Sequence, residues 1–129
     1  MLEKKLILMA TDRKLLLRVK NIYCYITDET GFDDVYLKVN GKKIWPKNRR
    51  FYPVRPGRTK VNVDLGDFDK NTSLEIEVWD FDYISRNDLL GKVLVFLDEP
   101  GGPYTTDMIQ NQEETLKAKY SIEWEIDFV

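Results

Sequence analysis

Leu74-Glu75-Ile76-Glu77-Val78-Trp79 places an apolar side chain at every second position and a carboxylate at most of the others. Side chains along an extended chain point to opposite faces in turn, so a period of two describes a strand with one buried and one wet face. The alternation recurs outward from this stretch. Toward the N-terminus it passes through Val61, Val63 and Leu65, and through Val35, Leu37 and Val39. Toward the C-terminus it passes through Ile122, Trp124, Ile126 and Phe128, with Glu123, Glu125 and Asp127 between them. Lys5 to Ala10, Leu15 to Lys20 and Lys92 to Leu97 read as three further strands, and the residues around Ile44 as an eighth. Pro46 confines that one to a sheet edge, where a missing N–H does no harm. Asp12-Arg13, Asn40-Gly41, Pro56-Gly57, Gly66-Asp67 and Pro100-Gly101-Gly102-Pro103 supply the turns. Only Thr105 to Lys119 lacks alternation, and its Asn, Gln and Glu content predicts a short helix. Eight strands in 129 residues predict an all-β fold, an antiparallel sandwich or barrel.

Composition narrows the chemistry. A chain of 129 residues suits a single domain over 1–129, and 43% hydrophobic with 33% charged residues fits a folded one. The single cysteine, Cys24, permits no internal disulfide and reads as a small buried hydrophobe. With no histidine, histidine metal sites and Ser-His or Cys-His catalytic pairs are excluded. The apolar run Leu6 to Ala10 is too short for a signal peptide, and no stretch approaches the ~20 apolar residues of a membrane-spanning helix. A soluble, cytoplasmic protein is the expectation.

Two connections are too long and too acidic for plain hairpin turns. One is Asp28-Glu29-Thr30-Gly31-Phe32-Asp33-Asp34, and the other runs from Asp80 to Asp88. If neighbouring strands are antiparallel, the Val35 strand leaves the first loop, the Ile44 strand returns, the Val61 strand leaves again and the Leu74 strand returns. Both loops then fall at one end, with Pro53 to Thr59 as a loop beside them and the Asp67–Asp69 turn at the other end. Asp28, Asp34, Asp80, Asp82 and Asp88 would share one rim. Clustered carboxylates repel, which raises their pKa values or demands a cation. A hard cation with six to eight oxygen ligands, such as Ca²⁺, suits them, whereas Zn²⁺ lacks its usual partners. Aspartate is also an ordinary turn former, and a single such loop would carry no metal reading. The second loop is not an EF-hand, because position six is Ser85 and position twelve is Gly91.

These loops resemble those of a C2 domain, the calcium-dependent phospholipid-binding β-sandwich, in its synaptotagmin and protein kinase C-like pattern. The first-loop pattern appears as Asp28, Gly31 and Asp33-Asp34-Val35-Tyr36. The third-loop pattern appears as Val78-Trp79-Asp80-Phe81-Asp82 and, after five residues, Asp88-Leu89-Leu90-Gly91. The resemblance covers about Leu15 to Leu97 and implies an eight-stranded antiparallel sandwich with a synaptotagmin-like strand order. It also implies Ca²⁺ ligands at Asp28, Asp34, Asp80, Asp82 and Asp88, with carbonyls near Thr27 and Phe81 completing the shell. Asp33 and Val35 depart from the family's serine and proline, and neither departure removes a ligand.

Val35 to Val63 carries nine basic residues and no acidic ones, while the rest of the chain carries 11 basic and 22 acidic residues. The resemblance makes Tyr36, Lys38, Lys42, Lys43 and Lys47 a concave basic face for phosphoinositide head groups, and Arg55 and Arg58 add to the same charge. Lysine also blunts exposed strand edges, and a protein partner can use the same surface. Tyr83 and Ile84 occupy the tip of the third loop, either to enter a bilayer interface or with Ile84 folded back on Leu89. Trp79, Trp124 and Phe128 read as packing residues.

The functional expectation is a calcium-binding module that docks to anionic phospholipid membranes as a peripheral protein. The alternative is a calcium-stabilised protein–protein interaction module or structural adaptor with no membrane role. No enzyme activity is expected: no nucleophile lies beside a base and there is no glycine-rich phosphate loop. No nucleic-acid partner is expected.

Overall fold

The structure, a computed structural model, describes residues 13–110 and 117–129. They form nine strands and no helix: β1 (Leu15–Ile26), β2 (Asp33–Val39), β3 (Lys42–Trp45), β4 (Tyr52–Val54), β5 (Gly57–Phe68), β6 (Thr72–Asp80), β7 (Asp88–Leu97), β8 (Gly101–Asp107) and β9 (Lys119–Phe128). They build two antiparallel sheets, one in the order β5-β1-β9-β8 and the other β3-β2-β6-β7, with β4 also paired to β2. The alternating positions become the core between them. Leu17, Ile22, Val35, Leu37, Ile76, Val78 and Ile122 are all fully buried there.

The strand count is nine rather than the expected eight. The expected strand at Lys5 to Ala10 lies outside the described residues, and with it the basis for the synaptotagmin-like order. β1, the strand before the first acidic loop, has β5 on one side and the C-terminal β9 on the other. Two strands were hidden in turn-like sequence. β4 overlaps the Pro53 to Thr59 segment expected to be a loop and contains Pro53, yet its three residues pair with Asp33, Asp34 and Val35. β3 and β4 both run antiparallel to β2, so the additional strand leaves the up-and-down parity intact. β8 begins Gly101-Gly102-Pro103 and stands at a sheet edge, where the missing proline N–H is harmless.

The described residues of Thr105 to Lys119, where the sequence predicts a helix, are not helical. Thr105, Thr106 and Asp107 pair with Glu123, Ile122 and Ser121 of β9 instead. Trp124 Nε1 donates to Thr106 Oγ1 at 3.0 Å and Ser121 Oγ to Asp107 Oδ1 at 2.5 Å, so the polar residues serve an edge ladder. Residues 111–116 of that helix lie outside the described residues.

β1 also runs beyond its expected end at Lys20. Its register shifts between Val19 and Asn21. Odd positions are buried up to Val19, and Ile22 and Cys24 are buried after it. A bulge resets which residues face inward, so the period of two breaks although the strand continues.

Leu37 is fully buried at the centre of β2. Leu37→Ala should cost about 2–5 kcal/mol through lost burial and a residual cavity. Denaturant unfolding monitored by tryptophan fluorescence will measure it.

Candidate metal centre

β1 runs into the first acidic loop and β2 leaves it; β6 runs into the other acidic loop and β7 leaves it. β2 and β6 are neighbours, with Val35 opposite Asp80. The loops are therefore stitched at their bases: Asp34 N donates to Asp80 Oδ1 at 2.8 Å, and Phe81 N donates to the Asp34 carbonyl at 2.7 Å. Asp28, Asp80 and Asp88 converge here, each offering an oxygen within 4.8 Å of the others.

The separation admits a hard cation. Calcium–oxygen distances of about 2.3–2.6 Å put opposed ligands about 4.6–5.2 Å apart. Carboxylate oxygens within 4.8 Å of one another fit inside that sphere. The electrostatics agree. Asp80 is only 2% exposed. Burial, with like charge from Glu29, Asp33 and Asp34, pushes its pKa up to about 8 against one opposing hydrogen bond from the Asp34 backbone. Asp34 is raised as well, first by burial and then by Asp33. Carboxylates held this way are short of positive charge, which a hard cation supplies.

The remaining two rim aspartates take other positions. Asp34 joins through its backbone, as above. Asp82 turns its carboxylate into its own loop, accepting from Ile84 N at 2.8 Å, Ser85 N at 3.2 Å and Ser85 Oγ at 2.8 Å. Those donors hold its pKa below the usual carboxylate range.

Sequence reading passed over two acidic residues and an asparagine. Asp33 stands where the family pattern has serine, and it is fully buried. Its carboxylate accepts from Asp28 N at 3.0 Å, Glu29 N at 3.0 Å and Tyr120 OH at 2.7 Å, pinning the first loop to β9. Glu29 lies beside Asp80 and its carboxyl is raised, chiefly by burial and then by Asp33. Asn87 accepts from Asp82 N at 2.9 Å and donates to Tyr36 OH at 2.8 Å, tying the tip of the loop to the neighbouring face. The run of carboxylates around Asp28 was the available signal for Glu29. Nothing in the sequence marks Asp33 as buried or Asn87 as a bridge.

The basic residues divide among three places. Lys38 and Lys43 are paired across β2 and β3, and Lys38 Nζ lies 4.9 Å from the Trp79 ring. Tyr36 is buried there, stacked on Trp79 with centroids 6.3 Å apart. Trp79 is therefore half-buried on the outer sheet face rather than in the core, and its Nε1 has no hydrogen-bond partner among the described residues. Lys42, Lys43 and Lys47 line a cleft of about 310 Å³ between β3 and β5, floored by Ile44, Val63 and Leu65. Arg55 and Arg58 are exposed near the rim, with Arg55 lying 6.0 Å from the Phe32 ring of the first loop.

At the tip, Ile84 is 98% exposed and does not fold back on Leu89. Tyr83 packs edge-on against Phe81 at 4.8 Å and Phe51 at 6.0 Å, and Arg50 lies over Phe81 at 5.9 Å.

Two outcomes follow for the rim. Asp33→Ala leaves three donors without their carboxylate, so it should cost about 1–3 kcal/mol and loosen the first loop; thermal unfolding in chelator will show it. The raised Asp80 also fixes a pH dependence. Unfolded, the group loses its proton near pH 3.8; folded, it keeps it to about pH 8. Across that window the native state binds more protons, so metal-free stability falls as pH rises. Asp80→Asn should flatten the slope, measured as melting temperature against pH in chelator.

A C2 domain family model matches residues 16–117. No curated protein sequence matches the chain. Among solved structures, a C2 domain of plant extended synaptotagmin 1 shares 16% identity over 91% of this chain and 95% of its own, with a TM-score of 0.60. A structure described as a C2 domain shares 18% over 90% and 97%, at a TM-score of 0.57. Human GIVD cytosolic phospholipase A2 shares 18% over 92% of this chain and 17% of its own length, at 0.56. The fold, the paired acidic loops and a family match across most of its length agree: this chain belongs to the C2 domain family.

Proposed function

We propose that this domain docks to anionic phospholipid surfaces in response to calcium. The observation that carries the reading is the convergence of Asp28, Asp80 and Asp88 oxygens within 4.8 Å of one another. These three hold the cation, Glu29 stands beside Asp80 to contribute, and Asp34 and Asp82 complete the rim. A cation bound there supplies positive charge and open coordination positions for a lipid phosphate, turning an acidic rim from repelling a membrane to attracting it.

The chain's own residues do the rest. Ile84 projects from the loop beside the site, where it enters the interface, and Tyr83 sits at head-group level. Arg55 and Arg58 add about 1 kcal/mol each near an anionic surface, screened within a Debye length. Tyr36, Lys38, Lys43 and Trp79 offer a basic and aromatic face to a phosphorylated head group. Lys42 and Lys47 extend the positive field along the β3 edge. Among the described residues no helix is long and apolar enough to cross a membrane, which accords with peripheral attachment through loops. The work is binding rather than catalysis.

About 1 mM Ca²⁺, and not Mg²⁺, should raise the melting temperature of chelator-stripped protein, by roughly 2.7 kcal/mol of stability at a hundredfold over the dissociation constant. Calcium should also carry the protein down with phosphatidylserine vesicles. Ile84→Asp should keep the calcium shift yet bind vesicles at least about tenfold more weakly. A calcium shift with no vesicle binding at all would favour the protein-adaptor alternative, and no shift at several millimolar would remove the metal reading.

A further inference from the structure

Among the described residues, the sheets end at β5 and β8 on one side of the sandwich and at β3 with β4 and β7 on the other. Unpaired edges invite pairing with another chain, and proteins blunt them with charge, proline or irregularity. Three of these borders are blunted in that way. β5 exposes Arg58, Lys60 and Asp64 and carries register shifts. β8 has Pro103 and a bulge. β3 is short, carries Lys42 and Lys43 and is followed by Pro46, and β4 contains Pro53.

β7 is different. Val93-Leu94-Val95-Phe96-Leu97 contains no charge, proline or glycine. Among the described residues its outer edge meets the chain at a single bridge, in which Lys92 N donates to the Ile109 carbonyl at 2.9 Å and Ile109 N to the Lys92 carbonyl at 2.8 Å. Lys92 thus directs its backbone groups outward, while the Leu97 carbonyl accepts from Asn71 on the β6 side. Backbone direction alternates along a strand, so the amides and carbonyls of Leu94 and Phe96 face the open edge. Their side chains are 69% and 51% exposed, and Ile109 beside them is 65% exposed.

We propose that a second copy of this chain pairs with this edge, β7 against β7 in antiparallel register about Val95. That register sets Leu94 opposite Phe96 of the other copy, twice over, with the outward backbone groups of all four residues turned toward one another. The charges favour the same occupant. Lys92 precedes the apolar run, and Asp98 and Glu99 follow it. Antiparallel self-pairing brings the lysine of each copy toward the carboxylates of the other, whereas parallel pairing sets lysine beside lysine. The bridge to Ile109 limits the ladder to residues 93–97, so the dimer is a weak one. It turns the two aspartate rims in opposite directions and requires no calcium.

Sedimentation velocity in chelator, from about 10 to 500 µM protein, tests this. The chain should pass from monomer to dimer over that range, and Leu94→Lys should raise the dissociation constant at least about tenfold with an unchanged melting temperature. Lys92→Glu and Asp98→Lys should each weaken the dimer, and the two together should restore it, because the pair reforms with its signs exchanged. A monomer at every concentration overturns the proposal. A dimer that Leu94→Lys leaves intact, or that the double exchange fails to restore, overturns it as well.

Discussion

Where β2 meets β6, Val35 lies opposite Asp80 and the Asp34 amide donates to the Asp80 carboxylate. The site depends on this register. A slip of one residue would turn Val35, Leu37 and Val39 out of the core, so burial of the apolar face fixes the pairing. The same pairing fixes the distance between the two acidic loops, because each leaves the sheet from the end of one of these strands. Packing energy thereby holds carboxylates close together against their repulsion. The cost appears in the raised pKa of Asp80.

Around that junction each loop is anchored by side chains that do not converge on the triangle. Asp33 fastens the first loop to Tyr120, and burial together with Asp33 keeps the tyrosine hydroxyl protonated as a donor. Asp82 shapes the tip that displays Ile84. Asn87 spans from that loop to Tyr36, which stacks on Trp79 beneath Lys38. The rim and the basic face are consequently neighbours joined by one amide side chain.

Opposite charges meet on one sheet face. On the outer face of the four-stranded sheet, Arg18 bonds to Asp64 and Glu125 and lies near Asp127. Such part-exposed pairs contribute little stability. Their effect is to neutralise the charge around Arg18 on that face.

The alternation at Leu74 to Val78 and at Ile122 to Phe128, the two Asp-rich loops and the family they resemble were all legible in the sequence, because strand period and loop chemistry are local properties. Strand parity, a count of reversals, also placed both loops at one end. β4 and β8 were not legible. Pro53 and the Gly101-Gly102-Pro103 start break the strand signal, and pairing with the neighbours β2 and β9 makes them strands. Nor could composition separate the aspartates: Asp28, Asp80 and Asp88 converge while Asp82 caps a turn and Asp33 is buried under a tyrosine. Sequence sets which groups carry charge and which prefer burial. Which of them meet depends on where the backbone brings them and what lies opposite, and that is decided when the sheets pack.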